Sequence, residues 1–441
     1  MTPIISFIEQ YNASGTVRAH MPGHKGCELT GSERYDITEI RGADELFEAQ
    51  GIIAQSEAAM SALYGSARTC YSTEGSSLCI KAMLAASREL LGDLRIAAPR
   101  NSHRAFINGC VLLGLDPVTV APEAEVCEPV SSAVTPADVR RTLDAHPELN
   151  ALYITSPDYL GCMADIRGIS AVCRERGVLL LVDNAHGAYL RFAGEGLHPL
   201  ELGADLCCDS AHKTLPALTG AALLHVSRSA PQELCSLVKD AMQLFASTSP
   251  SYVILSSLDR LTAELAGELP ERIRECCGRI AEIKSRLRSR GFVIPGEEPM
   301  KLTVNARPLG YTGSGLGDFL RTHGIEPEYT SEGCAVLMLS PYNTPAELEA
   351  TEAALTALPA RTALSPLPPL PGMPRRAMSL REAYFAPHER VPIDEAEGRI
   401  CSRTLLSGCP SVPVILGGEI FDRETIFFLK KYSFFSADVI K

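Results

Sequence analysis

Short apolar runs rich in β-branched residues alternate with longer amphipathic segments through the middle of the chain. This alternation is typical of an α/β fold, in which helices cover both faces of a mainly parallel sheet. Ligands of such folds bind beyond the carboxyl ends of the strands, so we expect functional residues near Thr155, Ser156, Asp183 and Ser210. The predicted strands are 94–97, 117–120, 151–155, 178–182, 206–209 and 221–226, and the predicted helices are 77–91, 135–145 and 169–176.

The composition narrows the class of protein. A chain of 441 residues is long enough for two or three domains. Its formal charge of −12 repels phosphate backbones and anionic bilayers, so nucleic acid and membranes are unexpected partners. The 15 cysteines include no C-x-x-C pair, which favours reduced thiols over a disulfide framework. Without a signal peptide or an apolar run of about 18 residues, the chain is expected to be cytoplasmic.

The pattern changes after about residue 255. A long amphipathic helix is predicted over 256–290 with an interruption at Pro270, and a smaller α/β region follows over about 291–360. The segment 364–374, LSPLPPLPGMP, cannot form a helix and predicts an extended linker. A short C-terminal segment lies beyond it.

A lysine follows one of the predicted strands. That strand ends at Asp209, and we expect the loop after it to carry His212 and Lys213. Most lysines are solvated surface residues, but a lysine just past a strand end also suits covalent chemistry. Asp183 ends the preceding predicted strand, and a carboxylate beside such a lysine keeps the ring nitrogen of a pyridine cofactor protonated.

Small residues open the predicted helix near residue 77. Gly75, Ser76 and Ser77 would present hydroxyls, free N–H groups and the positive end of the helix dipole to an anion, which predicts a phosphate site. Taken alone, the same residues are more typical of an ordinary serine helix cap than of a phosphate site.

These elements, in this order, resemble the fold type I pyridoxal-phosphate enzymes, and more narrowly the Orn/Lys/Arg decarboxylase family. The resemblance runs from about residue 3 to residue 420. The segments that carry it are HMPGHKG at 20–26, YDITE at 35–39, DEL at 44–46, PRNSHR at 99–104, SAHKTLPALT at 210–219, STSPSY at 247–252 and EGRI at 397–400.

The resemblance implies a cofactor, pyridoxal 5′-phosphate, and a role for each matching residue. Lys213 would carry the cofactor as an internal aldimine, Asp183 would pair with the pyridine nitrogen, and His212 would contact the cofactor. His103 would stack on the ring, although a histidine there is also compatible with a satisfied buried position. The remaining implied contacts are Ser76, Ser77 and Ser210 at the phosphate, and Ala185 and His186 on the other face.

The family further implies an architecture and an assembly. We expect a seven-stranded sheet with smaller α/β C-terminal domains, in a homodimer or higher homo-oligomer that places the cofactor at the subunit interface, where hydroxyls of residues 247–249 would come from the second subunit. The length matches the short form without the N-terminal wing domain. The predicted divisions are an N-terminal arm over 1–45, a cofactor domain over 46–255, a helix with a small domain over 256–363, the linker over 364–374 and a C-terminal domain over 375–441.

The implied reaction is decarboxylation of arginine, lysine or ornithine to a polyamine-type amine, with no metal. His20 and His24 do not form a helical metal pair, because Pro22 and Gly23 lie between them. An aminotransferase, another lyase acting at Cα and a non-catalytic paralogue are the alternatives.

Three departures from the family pattern bear on these alternatives. Asn184 replaces a glutamate, Glu74 replaces an asparagine next to the predicted phosphate site, and 408–413 differs from the usual proline-rich segment. By motif, the candidate carboxylates for the cationic end of the substrate are Glu419, Asp44 and Glu45.

Overall fold

The computed structural model describes residues 2–406 and 412–441. Its strands are β1 (Arg68–Ser72), β2 (Ile96–Pro99), β3 (Val118–Val120), β4 (Ala151–Thr155), β5 (Leu179–Asp183), β6 (Leu206–Asp209), β7 (Ala222–Val226), β8 (Lys301–Val304), β9 (Tyr329–Thr330), β10 (Ala335–Met338), β11 (His388–Pro392), β12 (Leu405–Leu406), β13 (Pro413–Ile415) and β14 (Ser436–Ile440). Its helices are α1 (Pro3–Ala13), α2 (Ile52–Tyr64), α3 (Gly75–Leu91), α4 (Arg104–Leu113), α5 (Pro136–Ala145), α6 (Ile166–Arg176), α7 (Leu190–Ala193), α8 (Pro199–Leu202), α9 (Ala211–Thr214), α10 (Leu234–Phe245), α11 (Tyr252–Leu265), α12 (Leu269–Ser289), α13 (Gly313–Thr322), α14 (Pro345–Thr356), α15 (Leu380–Phe385) and α16 (Arg423–Lys431). Short 3-10 helices cover Glu33–Tyr35, Arg307–Leu309 and Ile393–Glu395.

The first seven strands form one sheet in the order β1-β7-β6-β5-β4-β2-β3. Strand β7 is antiparallel to β1 and β6, whereas β5 is parallel to β6, and β2 is parallel to β3 and β4. Every residue of β5 is buried, as expected for a strand whose two faces are covered. The predicted fold class is confirmed, and each of the six predicted strands is present within about two residues of its expected bounds.

One compact unit contains the residues up to Asp93 together with Leu179–Cys277. In this unit β1 leads into α3 through Gly75, whose φ of +70° lies in the left-handed region that favours glycine. Helix α3 packs against α10 and contacts β6 and β7. The N-terminus of α3 therefore lies next to the turn between β6 and α9, where Ser76 and Ser210 are in hydrogen-bond contact.

The other compact unit contains Leu94–Val178 and the chain from Gly278 onward. It includes the antiparallel sheet β8-β10-β9 and the pairs β11–β14 and β12–β13. An apolar cluster with Ile393, Phe421 and Leu429 forms a small core near the C-terminus. The predicted linker 364–374 contains neither helix nor strand, as expected. The predicted domain boundaries themselves stay predictions.

Two local predictions are wrong. The break in the long helix lies between α11 and α12, at residues 266–268, rather than at Pro270. Pro270 is the second residue of α12, where a missing N–H breaks no intrahelical bond. Residues 211–214, expected as a loop, form the single-turn helix α9.

The described helices are all too short or too polar to cross a bilayer. Every cysteine within the described residues is a free thiol, and most of these thiols are buried. They therefore pack as small apolar side chains.

Candidate active site

The parallel pairing of β5 and β6 places two strand ends side by side. Asp183 lies opposite Cys208 in this register, so the residues that follow each strand are neighbours. The turn after β5 carries His186, and α9 after β6 carries Lys213. The Lys213 Nζ lies 3.0 Å from the His186 Nε2. The structure thus brings together two of the predicted site residues.

Asp183 is buried at the end of β5, with 2% of its surface exposed. Its Oδ1 accepts a hydrogen bond from the backbone N–H of Ala185 at 3.1 Å and one from the Cys208 thiol at 3.7 Å. A carboxylate in so dry an environment is stabilised by a cationic partner. A protonated pyridine nitrogen is such a partner, so this side chain and the small buried Ala185 fit their predicted roles.

Two of the predicted phosphate ligands meet at the start of α3. The Ser210 hydroxyl donates to the Ser76 hydroxyl at 2.8 Å, and both residues are buried. Ser77 follows in the first turn and is half-buried. Hydroxyls gathered at the N-terminus of a long helix form a suitable cradle for an anion.

Glu74, the unexpected anion beside this cradle, makes a contact of its own. Its Oε1 accepts a hydrogen bond from the backbone N–H of Ser247 at 2.7 Å. The carboxylate is solvent-exposed, so its charge is screened. The departure at position 74 is therefore compatible with phosphate binding. Whether residues 247–249 also serve a second subunit stays a prediction.

His212 is held in one tautomer by its neighbour across the turn. Its Nδ1 donates to the backbone carbonyl of Ala221 at 2.8 Å, which leaves Nε2 as an acceptor. Burial lowers the pKa of the His212 imidazole and outweighs the opposite effect of the Ala221 carbonyl, while the nearby charge of Lys213 lowers that pKa further. The ring is therefore neutral at neutral pH and able to accept a proton.

His103 belongs to the other compact unit, where it caps α4. Its Nδ1 accepts a hydrogen bond from the backbone N–H of Ala105 at 3.1 Å, so Nε2 carries the proton. The predicted stacking of His103 on the cofactor stays a prediction.

Two of the carboxylates predicted to receive the substrate's cation have other partners. Glu419 accepts from Arg100 Nη1 at 2.6 Å and from Nη2 at 2.7 Å, a two-pronged ion pair that neutralises its charge. Asp44 accepts the backbone N–H groups of Gly51 and Ile53, and so holds the start of α2. The prediction is wrong for Glu419, whose charge is already neutralised by Arg100. The Asp44 carboxylate is bonded to neutral N–H groups and keeps its negative charge, so its role at the substrate's cation stays a prediction. Within the described part of the chain, the one hydrogen bond that Glu45 accepts is from the nearby N–H of Glu48, and Glu45 is half-buried.

The divergent segment 408–413 can be followed only from residue 412 onward. Residues 408–411 lie outside the described part of the chain. Pro413 begins β13, which pairs with β12.

Sequence reasoning missed a buried polar cluster behind the site. Asp209 contacts His198, His225 and Asn184, and all four side chains are fully buried. Of these, only His225 gave a signal, since it is the one polar residue in the apolar run ALLHV. The pattern did not show which side chain it meets.

The donor set suits pyridoxal 5′-phosphate. An amine at Lys213, a buried carboxylate at Asp183 and paired hydroxyls at Ser76 and Ser210 match the aldehyde, the ring nitrogen and the phosphate of that molecule. All four residues belong to one compact unit. The chemistry of the residues present therefore agrees with the cofactor that the motifs imply.

Comparisons with known proteins point the same way. A family model described as Orn/Lys/Arg decarboxylase, major domain, matches residues 2–294. An arginine decarboxylase of Bacillus subtilis is 28% identical over 98% of this chain and 93% of its own length, and an arginine decarboxylase of Halalkalibacterium halodurans is 27% identical over the same shares. Lysine decarboxylase A from Pseudomonas aeruginosa has a similar structure, with a TM-score of 0.82 and 18% identity over 100% of this chain and 80% of that chain.

Proposed function

The chain belongs to the Orn/Lys/Arg decarboxylase family, and on this premise we propose that it releases CO₂ from arginine. It is a pyridoxal-phosphate-dependent amino-acid decarboxylase that acts on a basic amino acid. Relatives named arginine decarboxylase, which match over nearly the whole chain, support arginine as the substrate. Lysine and ornithine are the alternatives.

One observation supports this assignment by the chemistry of the site and not by the fold alone. Lys213 and His186 are in contact at 3.0 Å, at the strand end next to Asp183. Lys213 would hold the aldehyde of the cofactor, Asp183 its ring nitrogen, and Ser76 with Ser210 its phosphate. When bound, the cofactor supplies an electron-accepting ring that stabilises the electron pair left at Cα as CO₂ departs.

The protein's part is to position groups and to manage protons. An ammonium at Lys213 must lose a proton before its nitrogen can bind an aldehyde, and His186 Nε2 lies at hydrogen-bond distance to accept that proton. The buried carboxylate of Asp183 would keep a proton on the ring nitrogen of the cofactor. His212, neutral and with a free lone pair on Nε2, is a second acceptor beside Lys213.

The test is release of labelled CO₂ from arginine, lysine and ornithine by the purified protein with added pyridoxal 5′-phosphate. We expect CO₂ from arginine, loss of that activity in Lys213→Ala, and full activity in Lys431→Ala, a control at an exposed lysine in α16. Formation of a keto acid without CO₂ would favour an aminotransferase. A protein that stays colourless with the cofactor would favour a non-catalytic paralogue.

The proposal extends to assembly and location. We propose a homodimer in the cytoplasm that supplies polyamine-type amines, as the family motifs imply. Light scattering on the purified protein tests the dimer, and a monomer with full activity would contradict it.

A further inference from the structure

Asp209, the last residue of β6, is buried among four side-chain donors, which are His198, His225, Asn184 and the weakly donating Cys207 thiol at 3.7 Å from Oδ1. Its Oδ2 accepts from His198 Nε2 at 3.0 Å and from His225 Nε2 at 3.2 Å. Its Oδ1 accepts from Asn184 Nδ2 at 2.6 Å. None of these four side chains is exposed to solvent. A buried carboxylate with donors on both oxygens is stable only while each donor stays in place.

The second nitrogen of each imidazole shows how the protons are arranged. His225 Nδ1 lies 2.8 Å from the Thr69 hydroxyl, which can donate to it, and His198 Nδ1 accepts from the backbone N–H of Leu200 at 3.4 Å. Both rings therefore direct an Nε2–H at Asp209. Burial alone would raise the pKa of Asp209, but the two histidines hold it below its ordinary value. Asp209 is thus an anion, and its Oδ1 needs a hydrogen-bond donor as neighbour rather than a second carboxylate.

Asn184 lies in the turn that presents His186. Its backbone N–H donates to the Cys208 carbonyl at 2.9 Å, and its own carbonyl accepts from the N–H of Gly187 at 2.7 Å. Its side chain lies directly under Gly187, where an added Cβ would come within 2.1 Å of Asn184 Oδ1. Through its side-chain amide and its backbone, Asn184 therefore links the Asp209 anion on β6 to the four-residue turn 184–187.

We infer that Asn184 is a positioning residue whose amide, by donating to Asp209, fixes the turn that holds His186 against Lys213. Position 184 then requires an amide because position 209 is a carboxylate. The family's usual glutamate at position 184 would place a second carboxylate against Asp209 in this chain. The inference rests on the proposed function only in that His186 and Lys213 serve the cofactor.

A different explanation of the cluster is a metal site. Ligand atoms of His198, Cys207 and Asp209 lie within 4.8 Å of one another, and all three residues are buried. The hydrogen bonds of Asp209 account for the same arrangement without an ion. Metal analysis of the purified protein separates the two explanations.

The test exchanges the two groups without changing their size. Asn184→Asp places two carboxylates in contact, Asp209→Asn removes the anion, and the double variant restores one amide and one carboxylate in reversed order. In Asp209→Asn the side-chain oxygen can still accept from both histidines. The affinity for pyridoxal 5′-phosphate is measured by absorbance titration at about pH 8, where sharing a proton between two carboxylates is least favourable.

We expect Asn184→Asp to bind the cofactor about tenfold more weakly or worse, and the double variant to recover most of that loss, since buried groups in contact couple strongly. The absorbance band of the bound cofactor should likewise shift in Asn184→Asp and return in the double variant. An unchanged Asn184→Asp, a double variant no better than Asn184→Asp, or a stoichiometric metal ion in the wild type would overturn the inference. If the wild type binds the cofactor but releases no CO₂, the proposed function fails while this test still stands.

Discussion

Replacing Ser210 by alanine is expected to weaken the binding of pyridoxal 5′-phosphate by about 10- to 150-fold. The Ser210 hydroxyl lies 2.8 Å from that of Ser76, and Ser210 is fully buried, so water cannot take its place at the phosphate. A hydrogen bond to a charged group contributes about 1.5–3 kcal/mol. Because about 1.4 kcal/mol corresponds to a factor of ten in a dissociation constant, the loss converts to the range given.

The two hydroxyls should not act independently. In Ser210→Ala, the Ser76 hydroxyl loses its donor and turns its own proton toward the phosphate. That turn recovers part of the loss in the single variant and is impossible in the double variant, so Ser76→Ala/Ser210→Ala should lose more than the two single losses added together.

Titration of the apoprotein with the cofactor, followed by absorbance, measures the dissociation constants. Ser236→Ala, at an exposed serine in α10, is the matched control and should leave affinity unchanged. A Ser210→Ala protein that binds within about threefold of the wild type would refute the assignment of this cradle to the phosphate.

Two further predictions concern stability. Lys239→Met should lower the free energy of unfolding by about 3–5 kcal/mol, because Lys239 Nζ donates to the buried Glu57 at 2.6 Å and the substitution removes this ion-pair partner. Urea unfolding measures this, and a loss below about 1 kcal/mol would contradict it. The pKa of His212 is lowered by burial from the ordinary 6.5, so the folded protein binds fewer protons than the unfolded chain and stability falls as pH drops below 6.5. Melting temperatures from about pH 8 to pH 5 should fall less steeply in His212→Gln, and an equal slope would count against this reasoning.

Six of the seven strands of the large sheet could be predicted because they are short, mainly apolar runs, whereas β1, RTCYS, has no such pattern and was not predicted. Strand β5, LLLVD, is buried along its whole length, and a run of that kind has few other stable conformations. Short strands such as β9 and β12, with two residues each, carry no such pattern and were not predicted. Their position depends on pairing with β10 and β13, which are specified elsewhere in the chain.

Contacts between distant residues account for the errors at the site. Glu419 looked like a free carboxylate because its partner Arg100 lies 319 residues away along the chain. The turn with Asn184 looked like a weakened motif for the same reason, since the compensating anion at Asp209 lies on another strand. Local patterns show which residues are chemically able to act, whereas tertiary pairing decides which of them are already neutralised.

The same distinction separates the two strand-end aspartates. Asp183 and Asp209 end adjacent parallel strands and look alike in sequence, and both precede a predicted site residue. In the structure Asp209 already accepts from His198, His225 and Asn184, so both of its oxygens are occupied. Asp183 instead accepts from the backbone N–H of Ala185 and from the weakly donating Cys208 thiol, and it is the aspartate that we propose for the cationic ring nitrogen. Moving the anion from 183 to 184 would therefore not preserve function, because a carboxylate at 184 would face Asp209.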